Sequence, residues 1–140
     1  MKIYVLDACS LIALLTNENG ANAVKNLLEK AANGEIKILM HKVNFLEVYY
    51  YTYRNYGEEK AIKLLNDIKI APIKINSEIT DEILIKAGRL KSSYKMSLAD
   101  SIGLAESLIN KSSFVTADRH ELEIVQEKEK LDLVCIRDKK

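Results

Sequence analysis

Four acidic side chains, Asp7, Glu47, Asp100 and Asp118, stand at positions where carboxylates can do chemistry. Asp7 ends the apolar run Ile3-Tyr4-Val5-Leu6, and Asp118 follows Phe114-Val115-Thr116-Ala117 in the same manner. Glu47 comes three residues after Asn44 and Asp100 three after Ser97, each expected in the first turn of a helix. Every one of them has a plain structural use. First-turn acids suit a capping box and the helix dipole, and Asp7 or Asp118 can cap the helix that follows, with Ser10 as a competing cap. Jointly they ask for more. In a parallel sheet the strand C-termini and the starts of the following helices share one edge, so all four acids can converge there. Two carboxylates ~4 Å apart repel by about 4 kcal/mol at an effective dielectric near ~20. Such a group must raise its own pKa values, spread apart, or take up a cation. Oxygen donors without His or Cys suit Mg²⁺ or Mn²⁺, and one or two such ions on acids at a sheet edge make a phosphoryl-transfer centre, typically a nuclease.

The elements that must position these acids alternate along the chain. After the first strand, Leu11-Ile12-Ala13-Leu14-Leu15 reads as a short helix and Asn17-Glu18-Asn19-Gly20 as a turn. Ala23, Val24, Leu27, Leu28 and Ala31 recur at helical spacing and stop at Asn33-Gly34, before a strand over 36–40. A long helix is expected from Val43 to Tyr56, closed by Gly57, then a shorter one from Glu58 to about Asp67. Pro72-Ile73-Lys74-Ile75 is expected as an edge strand that tolerates the sole proline. Ser77 is expected to open a helix with Ile79, Ile83, Ala87 and Leu90 on one stripe. Ser97 opens the next, with Leu98, Ile102, Ala105 and Ile109 inward. A strand over 114–116, a charged helix after Asp118 and a strand over 133–136 complete the pattern. Strands alternating with helices imply a mostly parallel sheet covered on both faces.

The 140 residues suffice for one domain, expected over 1–140, with a substantial core. With 21 basic and 20 acidic residues the formal charge is +1, so no overall basic field announces a nucleic acid, and such a partner must be held by a local patch or by metal ions. Cys9 and Cys135 show neither metal-type spacing nor a disulfide framework, and Cys135 in Leu133-Val134-Cys135-Ile136 reads as a small buried thiol. Neither a signal peptide nor a membrane-length apolar run is visible, so the expected location is cytoplasmic.

Four segments together carry a family resemblance. Leu6-Asp7-Ala8-Cys9-Ser10-Leu11-Ile12, Asn44-Phe45-Leu46-Glu47-Val48, Ser97-Leu98-Ala99-Asp100 and Val115-Thr116-Ala117-Asp118 resemble the PIN domain, in order and spacing, over nearly the whole chain. In size the chain looks like the single-domain VapC-type ribonuclease toxins. The resemblance implies an α/β fold, a three-layer α/β/α sandwich whose central, mostly parallel five-stranded sheet has the order 3-2-1-4-5. It also implies Mg²⁺- or Mn²⁺-dependent endonuclease activity on RNA, a homodimer and an antitoxin partner. By position, Asp7, Glu47 and Asp100 would be the core acids and metal ligands and Asp118 a more weakly used fourth. Ser10 and Thr116 match hydroxyl positions that orient carboxylates or waters. Ala8-Cys9 departs from the family, which more often has a hydroxyl residue directly after the first acid.

The remaining polar residues are less specific. His41 and His120 are expected at the surface or in loops, and Lys42, Lys95 and Arg119 lie near the acidic segments, where they can steer RNA or merely be solvated. Tyr49, Tyr50, Tyr51, Tyr53 and Tyr56 exceed what one helical stripe can bury. Some are expected in the core and the rest on a subunit surface, with base stacking as the alternative. A phosphatase with an aspartyl nucleophile would want a second acid where Cys9 stands, and a receiver domain would want an acidic pair near its first strand. A non-toxin nuclease of RNA processing, or a catalytically weak RNA-binding module on the same fold, is the stronger rival.

Overall fold

Residues 1–118 and 120–137 are described by a computed structural model. The strands are β1 (Lys2–Leu6), β2 (Ile36–His41), β3 (Lys74–Asn76), β4 (Ser113–Thr116) and β5 (Asp132–Cys135). The helices are α1 (Ala8–Leu15), α2 (Ala21–Ala32), α3 (Lys42–Tyr56), α4 (Glu58–Ile68), α5 (Asp81–Ser93), α6 (Leu98–Ile109) and α7 (Glu123–Glu129), the last preceded by a 3₁₀ turn at His120–Leu122. All strand pairs are parallel and the sheet order is β3-β2-β1-β4-β5. That order puts β1 at the centre, pairing Val5 with Leu39 on one side and Leu6 with Val115 on the other.

Side chains alternate across a strand, so each strand feeds both layers. Leu6, Ile38, Met40 and Val115 point to one face and pack against α1 to α4, through residues such as Leu11, Val24, Val48 and Leu64. Val5, Leu39 and Phe114 point to the other and meet Ile83, Leu90, Ile102, Leu104 and Val125 of α5, α6 and α7. The result is the expected three-layer sandwich. Helix α6 is apolar nearly all round and buried from Ala99 and Ser101 through Ser107, the pattern of a helix wedged between neighbours. No helix among the described residues is long and apolar enough to cross a membrane.

Local chemistry moved several boundaries. Pro72 lies in a bend before β3, which begins only at Lys74 on the sheet edge. Thr80 rather than Ser77 caps α5, its hydroxyl accepting from the Ile83 amide at 3.2 Å, which leaves Ile79 outside the helix and exposed. Ser97 does cap α6, accepting from the Asp100 amide at 3.0 Å, but Leu98 is 64% exposed rather than inward. Cys135 is half-buried, since β5 closes the sheet on one side only. None of the five tyrosines of α3 is buried, so the core takes none of them.

Candidate metal centre

Asp7 follows the last residue of the central strand and is the N-cap of α1, its Oδ1 accepting from the Ser10 amide at 2.8 Å. Its own amide donates to the Val115 carbonyl at 3.1 Å, and the Ser10 hydroxyl spends its one proton on the same carbonyl at 3.0 Å. The end of β1 and the start of α1 are thereby fixed against β4. The Thr116 hydroxyl hydrogen-bonds the Asp7 carboxylate and accepts from the Asp118 amide at 3.0 Å. Only 5% of Asp7 is exposed. Burial drives its pKa to about 6, with the Asp100 charge adding to the rise and the Thr116 and Ser10 hydrogen bonds opposing it.

Glu47 and Asp100 approach from two helices. Asp100 is in the first turn of α6, as expected, whereas Glu47 is in the second turn of α3. The cause is His41, which is the N-cap of α3 and 1% exposed rather than a surface or loop residue. Its Nδ1 accepts from the Val43 amide at 3.1 Å and its Nε2 lies 2.8 Å from the Glu78 carbonyl. A carbonyl can only accept, so Nε2 carries the proton and the ring is neutral. His120 is exposed, as expected, 3.8 Å from Glu123.

Both carboxylates are half-exposed. Partial burial raises the Glu47 pKa, and the charges of Asp100 and Asp7 raise it further. The same three acids act on Cys9, whose thiol is pushed up to about 12 by desolvation first and then by Asp7, Asp100 and Glu47. Cys9 is therefore an uncharged neighbour, not a thiolate ligand. Asp7, Glu47 and Asp100 thus share one electrostatic neighbourhood. Asp118 is exposed just beyond β4 and is tied to that neighbourhood through Thr116. Arg119 lies outside the described residues.

A hard divalent cation fits the donor chemistry of this place, because positive charge offsets the burial and the neighbouring negative charge that raise the pKa values of Asp7 and Glu47. Among the described residues, no three His, Cys, Asp or Glu side chains are already gathered to hold an ion. Glu47 and Asp100, on half-exposed side chains, would have to turn toward Asp7.

Behind the acids lies a buried polar layer that periodicity did not reveal. Asn44 is 1% exposed with neither amide atom hydrogen-bonded, and a Cβ on Gly103 would meet its Nδ2 at 3.1 Å. Glu106, also 1% exposed, accepts from Asn76 at 2.9 Å, and burial pushes its carboxyl up. The one available signal was a glutamate inside the apolar stretch Leu104-Ala105-Glu106-Ser107-Leu108.

A family profile described as the PIN domain matches residues 4–128. The chain belongs to the PIN domain family. Among solved PIN-like structures, a toxin–antitoxin complex from Klebsiella pneumoniae aligns with a TM-score of 0.70 at 16% identity, over 97% of this chain and 99% of that one. VapBC2 from Rickettsia felis, bound to a DNA fragment from its promoter, aligns at 0.70 and 15% identity over 95% and 98%. The sarcin-ricin-loop-cleaving toxin VapC20 from Mycobacterium tuberculosis aligns at 0.57 and 13% identity, over 79% and 86%. At such identities the likeness is one of fold. No curated protein matches the chain by sequence.

Proposed function

We propose that residues 1–140 form a single PIN domain that acts as a Mg²⁺- or Mn²⁺-dependent endoribonuclease, the toxin of a toxin–antitoxin pair. The observation that carries this reading is the shared neighbourhood of Asp7, Glu47 and Asp100 at the C-terminal edge of the parallel sheet. There burial and the Asp100 charge raise the pKa of Asp7, and burial and the charges of Asp100 and Asp7 raise that of Glu47. Asp7, Asp100 and Asp118 would hold the ion, with Glu47 close by or acting through water. When bound, such an ion activates water and stabilises the charge that builds on a phosphodiester under attack. The protein's part is positional. Ser10 and Thr116 fix the rotamer of Asp7, and the Val115 carbonyl holds both strand end and helix start in register. Burial of Asp7 keeps water from competing for its carboxylate. Fold likeness to toxin–antitoxin complexes supports an antitoxin partner, and the unburied tyrosines of α3 support a homodimer surface.

The test incubates total cellular RNA with the pure protein, with and without EDTA. Cleavage is expected only with Mg²⁺ or Mn²⁺, and is expected to vanish in Asp7→Asn and Asp100→Asn while Asp118→Ala loses less. Thr116→Val is expected to lose about 10–100-fold, the usual cost of a group that orients a ligand. Cleavage that persists in EDTA, or in Asp100→Asn at the wild-type rate, overturns the reading.

A further inference from the structure

Beside the acids lies a cleft of about 1000 Å³ between the C-terminal end of α5, the segment joining α5 to α6, and α7. Asp100 lines it, so the cleft is continuous with the acidic neighbourhood. Lys91, Lys95 and Lys128 line it too, each from a different one of those three segments. We infer that this cleft seats the phosphodiester backbone of a single-stranded RNA whose scissile bond lies at the acids, an inference that rests on the proposed nuclease reading.

Three observations point the same way. First, all three lysines are exposed, and none takes part in an ion pair among the described residues. Second, Glu129, the residue after Lys128, is already spent. Glu129 is held by both guanidinium nitrogens of Arg89, at 3.1 and 2.5 Å, and by the Tyr94 hydroxyl at 2.5 Å, which keeps its carboxyl down at about 2. That clamp ties α5 and the segment after it to α7, so the cleft has fixed walls and Glu129 does not compete for its lysines. Third, Met96, Val125 and the exposed Ile124 add an apolar surface beside the lysines. Unpaired bases have faces to lay on such a surface, whereas a duplex hides them. The need for such a seat is electrostatic. A polyanion is repelled by three carboxylates, and a chain of net charge +1 has no general field to hold it.

The experiment measures binding of a short fluorescein-labelled single-stranded RNA by anisotropy across a salt series, in EDTA, in the Asp7→Asn background. Lys91→Gln, Lys95→Gln and Lys128→Gln are tested singly and together. Single strands lose about 0.7 of log–log salt slope per phosphate contact, so the triple variant is expected to lose about 2 in slope and to bind at least ~10-fold more weakly at low salt. In the otherwise wild-type chain it is expected to raise KM and leave kcat unchanged. An unchanged slope overturns the inference even if RNA is cleaved, whereas a reduced slope without cleavage in any background keeps the RNA seat and removes the nuclease. Polyglutamate competing as well as RNA does also overturns it, assigning the cleft to an acidic protein segment instead.

Discussion

Asp7 caps a helix and stands among other acids, and the two tasks make opposite demands on its charge. The cap wants an oxygen acceptor; burial beside Asp100 wants a neutral group. Asparagine satisfies both, since it caps about as well as aspartate. A carboxyl whose pKa rises from 3.8 to about 6 on folding binds more protons in the native than in the unfolded chain between those values. Stability is therefore fullest below 3.8, falls as pH rises through about 6, and is flat beyond. The shift corresponds to about 3 kcal/mol at most. Asp7→Asn is expected to stabilise the metal-free protein at neutral pH by roughly 1–3 kcal/mol. Urea unfolding in EDTA checks it: the gap between variant and parent should be open at neutral pH and close in acid. A gap that ignores pH would show that Asp7 is not strained by its charge. Asp7 was legible because a bare acid after an apolar run is unusual. Glu47 lies one turn deeper in α3 than its spacing from Asn44 suggests, because an imidazole caps α3 where the cap preferences point to Ser, Thr, Asp or Asn. Nothing in sequence period marks a histidine as buried and neutral.

Where α3 and α6 meet, the spacing of Glu47 from Asp100 is set one turn away from either. Gly103 is three residues beyond Asp100, and Asn44 three before Glu47. A Cβ at Gly103 would stand 3.1 Å from Asn44 Nδ2 and 3.3 Å from the Phe114 ring, and both neighbours are fully buried. Gly103→Ala gains up to about 1 kcal/mol of helix preference but meets overpacking of roughly 1–3 kcal/mol. The net expectation is a modest loss of thermal stability with a disproportionate loss of Mn²⁺ affinity by calorimetry, since the helices that carry the acids are wedged apart. Equal Mn²⁺ affinity would separate this contact from the site. Helices with a single apolar stripe were legible to within a few residues. The start of α5 was not, because Ser77 and Thr80 are both good caps and only tertiary packing chose between them. The tyrosines of α3 are too many for one stripe, and the core takes none. Tyr50, Tyr53 and Tyr56 remain exposed, and light scattering at micromolar concentration is expected to find a dimer that is lost when they become serine.

For the whole molecule, the alternation of strands and helices fixed the class of fold, but strand order came only with the family resemblance. Period and propensity are local, whereas order depends on which crossover joins which pair. If the acids bind Mn²⁺, the native state alone gains, and a thermal melt at 100 times the dissociation constant should show about 2.7 kcal/mol of added stability that EDTA removes. The sheet order also has a consequence in time. Ser10 and the Val115 carbonyl that anchors it are 105 positions apart, and β1 cannot acquire its second neighbour until β4 has been made. At synthesis rates of roughly 5–20 residues per second, Asp7 waits about 5–20 s after leaving the peptidyl-transferase centre before its strand is flanked on both sides. During that interval the nascent chain already carries Asp7, then Glu47, then Asp100, but as unassembled segments of a late-closing topology. On the proposed function, a chain that cuts RNA is made on RNA. Central placement of the first strand delays assembly of the acidic site until the ribosome has nearly finished making the chain.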